Sequence, residues 1–318
     1  MTATITLQNA TISGTFSGTI TYDEQPPPSG GGGYDLSKPP FTAASLWNQP
    51  VKSNPRFTNI PWEAPTGWNY WCTWEDTGVP VFQSTAADPM VQVSGPSGWG
   101  HPDNPQLNMP QGAANSGPVG SGHDSPILMI DQDGYVWNFW QFNRTSDTTA
   151  TCSAYGKCHV LNDTGWGWTQ QGTADNNWQT VVGAGTAACG ASQFGGLLVQ
   201  AETDVGDIKH ALGLAVRTGL IAPGTVAPAV GDDGKTPGAP LKESQLLAIP
   251  SSASMPSNMS PLGQKVFKAF KAYGARVTDD GGSDRTTIRA NQREFDQPTM
   301  DALRKDMAKL IPLLKLVG

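Results

Sequence analysis

Residues 2–22, TATITLQNATISGTFSGTITY, alternate Thr or Ser with Ile, Leu or Phe and are interrupted at Asn9 and Gly14. That period-2 rhythm predicts two or three short strands. A β piece this short cannot bury a core alone, so it is expected to pair with a copy of itself or with a partner surface. The run QPPPSGGGGY at 25–34 is stiff in its prolines and flexible in its glycines, the composition of a tether. The expected layout is a β adaptor or assembly segment at 1–24, a linker at 25–34 and a main domain at 35–318.

In the main domain the clearest pattern is PILMIDQDGYVWNFWQF at 126–142. Asp133-Gly134 predicts a two-residue hairpin turn. In that register Ile130 pairs with Trp137 and Leu128 with Phe139. Asp131, Met129 and Ile127 then share the other face with Val136, Asn138 and Trp140. The mixture of carboxylate, amide and indole on this second face suits a binding groove.

Residues 208–216, IKHALGLAV, alternate large with small and predict a central strand carrying Ile208, His210, Leu212, Leu214 and Val216 on one face. Near the end, Leu262, Val266, Phe270 and Tyr273 fall at helical spacing and stop at Gly274. Met300, Leu303, Met307 and Leu310 repeat that spacing after Asp296 and Pro298. The expected fold is mainly β: a β-sandwich or jelly-roll-like domain with two short C-terminal amphipathic helices.

Composition agrees. The 318 residues include 37 Gly and 26 Pro, with only 15% charged, as in loop-rich β proteins. The net charge of −7 argues against nucleic acid, which needs a basic stripe, and disfavours a strongly acidic polysaccharide. No stretch approaches the roughly 18 apolar residues of a membrane span, and the N-terminus lacks the pattern of a secretory signal. Cys152 and Cys158 flank a five-residue loop that a disulfide would staple, leaving Cys72 and Cys189 as the second pair; buried thiols are the alternative. No CxxC spacing suggests a structural metal. Two Asp-rich turns, at 131–134 and 279–284, resemble calcium-loop fragments but lack the closing Glu, so no cofactor is expected and Ca²⁺ is the one ion considered.

All eleven tryptophans lie between Trp47 and Trp178. Indole stacks on the C–H face of a pyranose while its N–H finds a polar partner. Some of these rings fill the core; Trp99, Trp140, Trp166 and Trp168, with Asp131 and Asn138, are the candidates for glycan binding. Candidate catalytic groups are Asp124 and Glu202, the first pair to test as opposed glycosidase carboxyls, with His123 and His210 as possible bases. A hydrogen-bonded core histidine is the plainer role for His210, and a solvated loop for Glu202.

The order SLWNQPV (45–51), GSGHDSPILMIDQDG (120–134), GDIKHALGLAV (206–216) and VFKAFKAYGARVTDDGG (266–282) resembles a family of largely uncharacterised secreted bacterial proteins. Its members carry an opening SPWN-P segment, a DGH strand, an I-x-HAL strand and a late helix and turn. Ile208, His210, Ala211 and Leu212 match the third motif, and His123-Asp124 stands where the family has Asp before His. The resemblance implies a secreted, glycan-active β-sandwich. The adaptor and tether resemble the front end of bacteriophage tail or fibre proteins. Together these imply a virion-associated, extracellular protein that binds host envelope glycan, with or without degrading it, attached to a virion partner or self-associated through residues 1–24. The alternatives are a non-catalytic structural or adhesive virion decoration protein and a secreted polysaccharide hydrolase or lyase.

Overall fold

The computed structural model describes residues 6–7, 10–11, 33–67, 69–73, 78–95, 104–115, 117, 124–167 and 183–318. The chain divides into two compact units, 1–30 and 31–318. In the first, Thr6–Leu7 pairs antiparallel with Ala10–Thr11.

The second unit is mainly β with short helices, as the patterning predicts. Its largest sheet has seven strands in the order Phe57–Thr58, Lys315–Val317, Leu246–Ala248, Ala275–Asp280, Leu212–Val216, Thr286–Arg289, Tyr70–Thr73. Leu212–Val216 is interior, flanked by a parallel and an antiparallel neighbour. Two amphipathic helices, α2 (Pro261–Ala272) and α3 (Gln297–Leu310), contribute to the same core through Leu262, Val266, Phe270, Met300, Leu303, Met307 and Leu310. Ser260 and Asp296 cap their N-termini, accepting from Gly263 N and Thr299 N. Gly274, at φ 82°, ends α2 in the left-handed conformation that a side chain disfavours. A shorter helix, α1 (Gln200–Val205), precedes the central strand.

Among the described residues the unit further holds a parallel pair, Ile221–Thr225 with Leu241–Glu243, and two four-stranded sheets. One runs Ala154–His159, Tyr135–Trp140, Ile127–Ile130, Val81–Gln83; the other runs Asn143–Arg144, Thr149–Thr151, Met90–Ser94, Gln106–Asn108. They enclose a core in which Val91, Val93, Leu107 and Ala150 meet Ile127, Met129, Trp137 and Phe139. The opposite face of the first sheet packs Leu128, Ile130 and Val136 with Trp47, Phe194 and Leu197. Among the described residues no helix is long and apolar enough to cross a membrane.

Two expectations are corrected here. The hairpin pairs Ile127 with Phe139, Leu128 with Asn138, Met129 with Trp137 and Ile130 with Val136, one residue from the expected register. The loop has three residues, closed by Asp131 N–H to Tyr135 O at 2.8 Å, with Gly134 at φ 82° supplying the left-handed position. Both faces are buried from Ile127 to Ile130 and from Val136 to Phe139, so open space is confined to the Trp140 end. Secondly, no disulfide joins the cysteines. Cys152 sits in the sandwich core and Cys158 in the core on the other side of its sheet, while Cys72 lies with the helices and Cys189 with Trp47. Each expected pair is divided between two cores.

Candidate functional site

A cleft of about 280 Å³ is lined by Asp124, Trp140, Ala154, Tyr155, residues 186–188, Asp232, Asp233, Asp279, Asp280 and Arg289. Local backbone devices bring these groups together. Where Leu212–Val216 pairs with Ala275–Asp280, Leu214 opposes Val277 but Ala215 opposes Asp279, so Thr278 is an extra residue. Such a bulge reverses the period-2 phase. Asp279 thereby leaves the core-facing side held by Ala275 and Val277 and lines the cleft. On another wall, Gly156 approaches Gly185 so closely that a Cβ would lie 2.4 Å from its Cα, and Lys157 N donates to Gly183 O at 3.0 Å. Glycine at both positions lets the 186–188 loop lie against the strand.

Asp124 and Trp140 are fixed next to two non-glycine residues in the left-handed region, Ser125 at φ 39° and Gln141 at φ 53°. Backbone hydrogen bonds from Gln141 N to Asp124 O (2.8 Å) and from Phe142 N to Ser125 O (3.0 Å) hold this conformation. Backbone strain of this kind collects at functional sites because only a reason beyond local preference retains it.

The electrostatics are unusual. Arg289 donates to Asp124 Oδ2 at 2.9 Å and to Gln193 Oε1 at 3.1 Å, and Trp140 Nε1 donates to Asp124 Oδ1 at 3.4 Å. Burial disfavours the Arg289 cation, but Asp124 and Asp279 outweigh it and raise its pKa. Burial also pushes the Asp279 carboxyl up to about 6, against the lowering effect of Arg289 and of the Ala188 N–H that reaches its Oδ1 at 2.8 Å. Asp233 is raised as well, again chiefly by burial. Asp280 is fully engaged: its Oδ1 accepts from Thr218 Oγ1 and Gly282 N, and its Oδ2 pairs with Lys235. The cleft thus presents a salt-bridged carboxylate and a buried carboxyl that keeps its proton into the mildly acidic range. Beside them are an indole, the ring of Tyr155 and the Thr186 hydroxyl, which has no partner among the described residues.

Of the residues singled out by sequence, Asp124 and Trp140 meet in this cleft. Glu202 and His210 meet each other instead. His210 Nε2 lies 3.0 Å from Glu202 Oε2, both side chains are buried, and His210 Nδ1 lies 2.9 Å from Ala211 O. Burial opposes the imidazolium, yet Glu202 and the Ala211 and Gly195 backbones raise the His210 pKa. This pair braces α1 against the central strand, and Glu202 does not line the cleft with Asp124. Asp131 organises the hairpin turn, accepting from Tyr135 N, Asp133 N and Trp137 Nε1. Asn138 is fully buried and ties Ser192 and Gln193 to the sheet. Trp166 is buried and stacks on Trp47 with ring centres 4.7 Å apart. His123, Trp99 and Trp168 lie outside the described residues. Among the described residues no group of three His, Cys, Asp or Glu is arranged to hold a metal ion.

Asp232, Asp233, Tyr155 and Arg289 were not singled out for chemistry by the sequence, and Asp279 entered only as the start of a calcium-loop-like fragment. The only signal was the repetition of Asp-Asp-Gly, at 232–234 and 279–281, in segments whose composition is that of ordinary turns. A larger groove of about 620 Å³ lies among α1 and the N-terminal ends of α2 and α3, but Phe295 is the one aromatic residue in its lining. Comparison with protein-family models, curated proteins and solved structures returned no match.

Proposed function

We propose that this protein is a virion-attached receptor-binding protein that holds a host-surface glycan in the cleft and hydrolyses it. The observation that carries this reading is the convergence of Asp279, the Asp124–Arg289 salt bridge and the Trp140 indole on one cavity, with burial pushing the Asp279 carboxyl up to about 6. A pyranose stacks on the indole, an interaction of about 1–3 kcal/mol by analogy with aromatic stacking on other rings. Asp279 gives its proton to the glycosidic oxygen as the C–O bond breaks. Asp124 accepts a proton from the water whose oxygen joins the anomeric carbon, and exchange with solvent restores both groups. Arg289 orients Asp124 through its 2.9 Å contact with Oδ2. With five carboxyl side chains against one guanidinium, the lining favours a neutral or amine-bearing sugar over a polyanionic one. Attachment through residues 1–24, and with it a virion or extracellular location, is supported by the strand patterning, the tether and the division of the chain after residue 30.

The test is incubation with purified host envelope polysaccharides, followed by size-exclusion analysis of chain length. Wild-type protein is expected to shorten one of them and Asp279→Asn to bind it without shortening it. Binding without shortening by the wild type would favour a non-catalytic adhesive protein. Absence of binding and shortening would contradict both.

A further inference from the structure

Asp279 and Arg289 line the cleft and also a recess of about 20 Å³ beside it. Small residues shape this recess. The 3₁₀ turn Gln193–Gly196 packs on the strand Leu212–Val216, and a Cβ at Gly196 would lie 2.4 Å from Gly213 N, so the two backbones touch. At Gly213, by contrast, a Cβ would meet Gly196 O and Thr278 Cγ2 at 3.6 Å, ordinary contact distances. Gly196, Gly213 and Thr278 all line the recess, so glycine at 213 is what keeps it open.

One water requires roughly 10–15 Å³ and about three polar partners. The recess has that space, and Asp279, Arg289, Gln193 and Thr278 bring polar groups to its lining. Ala188 N holds Asp279 Oδ1 at 2.8 Å, and Arg289 donates to Gln193 Oε1 at 3.1 Å and Asp124 Oδ2 at 2.9 Å. Among the described residues no ion pair joins Arg289 to Asp279 directly. We propose that the recess binds one water molecule, which accepts from the Arg289 guanidinium, donates to the Asp279 carboxyl and so couples the two. When Asp279 gives its proton to the glycosidic oxygen, this water passes a proton to the carboxylate as it takes one from solvent. The acid is then restored while sugar still fills the cleft. Gln193, Gly213 and Asp279 keep partial exposure, which leaves the recess open to solvent. The charged groups that act on Asp279 are Arg289, Asp124 and Asp233, and Asp279 in turn acts on Glu243. Gly213→Ala alters none of them; its methyl enters the recess and displaces the water.

The role in turnover rests on the glycan-cleft reading, but the water itself does not, and its tests need no glycan. A crystal structure of the full chain is expected to show a water in the recess within hydrogen-bond distance of Asp279 and Arg289. A recess without one overturns the site, and this holds even where Gly213→Ala does not fold. In Gly213→Ala the Asp279 midpoint, read by carboxyl carbon NMR, is expected about one pH unit higher. That is roughly a tenfold change in its ionisation constant, the size expected for one lost hydrogen bond to a charged group. Gly213→Ser puts a hydroxyl in place of the water and should bring the midpoint back towards wild type. A midpoint unmoved in Gly213→Ala, in a protein made more stable, identifies a dry recess filled by a methyl and overturns the bridge. Where a polysaccharide is cleaved, the alkaline limb of kcat should move up with the midpoint in Gly213→Ala. A limb that stays while the midpoint moves overturns the role in turnover and leaves the bound water standing.

Discussion

Arg289, at the end of Thr286–Arg289, brings a guanidinium nitrogen 2.9 Å from Asp124 Oδ2 and so joins the seven-stranded sheet to the entry of the hairpin. The same guanidinium lowers the proton affinity of Asp279, whereas Asp124 raises it. Asp124→Asn is therefore expected to move the Asp279 titration below about 6, and Arg289→Gln to move it above. Carboxyl carbon NMR titration measures both. An Asp279 midpoint unmoved by either change would show that the three groups do not act on one another.

Stability should fall as pH rises. In the folded chain Asp279 and Glu243 retain protons that an unfolded chain releases near pH ~4. The stability linked to those protons is complete below that pH. It is lost as pH rises through about 6 for Asp279 and through about 10 for Glu243. Each retained proton contributes a slope of ~1.4 kcal/mol per pH unit within its window. Urea unfolding is expected to give a higher midpoint at about pH 5 than at about pH 8, with a flatter profile in Glu243→Gln. Equal wild-type midpoints would contradict the burial of these protons.

Trp137 and Trp140 should separate stability from binding. Trp137 stacks on Phe139, touches Tyr155 and donates to Asp131 Oδ2 at 2.7 Å, so Trp137→Ala should cost ~3–5 kcal/mol of stability. Trp140 is half-buried at the cleft, and Trp140→Ala should weaken glycan binding by ~1–3 kcal/mol while costing less stability. Chemical unfolding and calorimetry with the cleaved glycan check the pair. Equal loss of stability in both variants would remove Trp140 from the binding surface.

Much of the framework was legible in the chain. The helical spacing of Leu262, Val266 and Phe270, and of Met300, Leu303, Met307 and Leu310, marked α2 and α3 because each buries one stripe and wets the other. The hairpin was visible, but its register was not. Asp133-Gly134 suits both a two-residue and a three-residue loop, and with Ile127, Leu128, Met129 and Ile130 all buried the apolar pattern carries no phase to choose between them. The cleft was least legible. Asp124 and Arg289 are 165 residues apart, and the bulge at Thr278 that re-aims Asp279 depends on the partner strand. His210 and Glu202 drew attention as titratable groups near one another, and they found each other in the interior.

That interior pair makes its own prediction. Replacing one member of a buried hydrogen-bonded pair leaves its partner poorly satisfied, so Glu202→Gln should cost ~1–3 kcal/mol. It should leave the cleft's action on glycan unchanged in the fraction that stays folded. A loss of turnover without a loss of stability would return Glu202 to the catalytic site.

The cysteines offer a further check. All four are buried and none is in a disulfide. Burial pushes the Cys72 thiol up to about 12 and holds the others above the ordinary thiol range. Ellman titration without reductant is expected to find almost no reactive thiol in the folded protein and all four in denaturant. Fewer than four in denaturant would restore a cross-link.

The most direct test of the glycan cleft is an NMR titration of ¹⁵N-labelled indoles with the host polysaccharide fragment. Of the eleven Trp indole signals, Trp140→Phe identifies the one at the cleft. That signal is expected to shift saturably with the fragment, while the buried Trp47 and Trp166 signals stay in place. Saturable binding that leaves Trp140 unmoved would contradict the account.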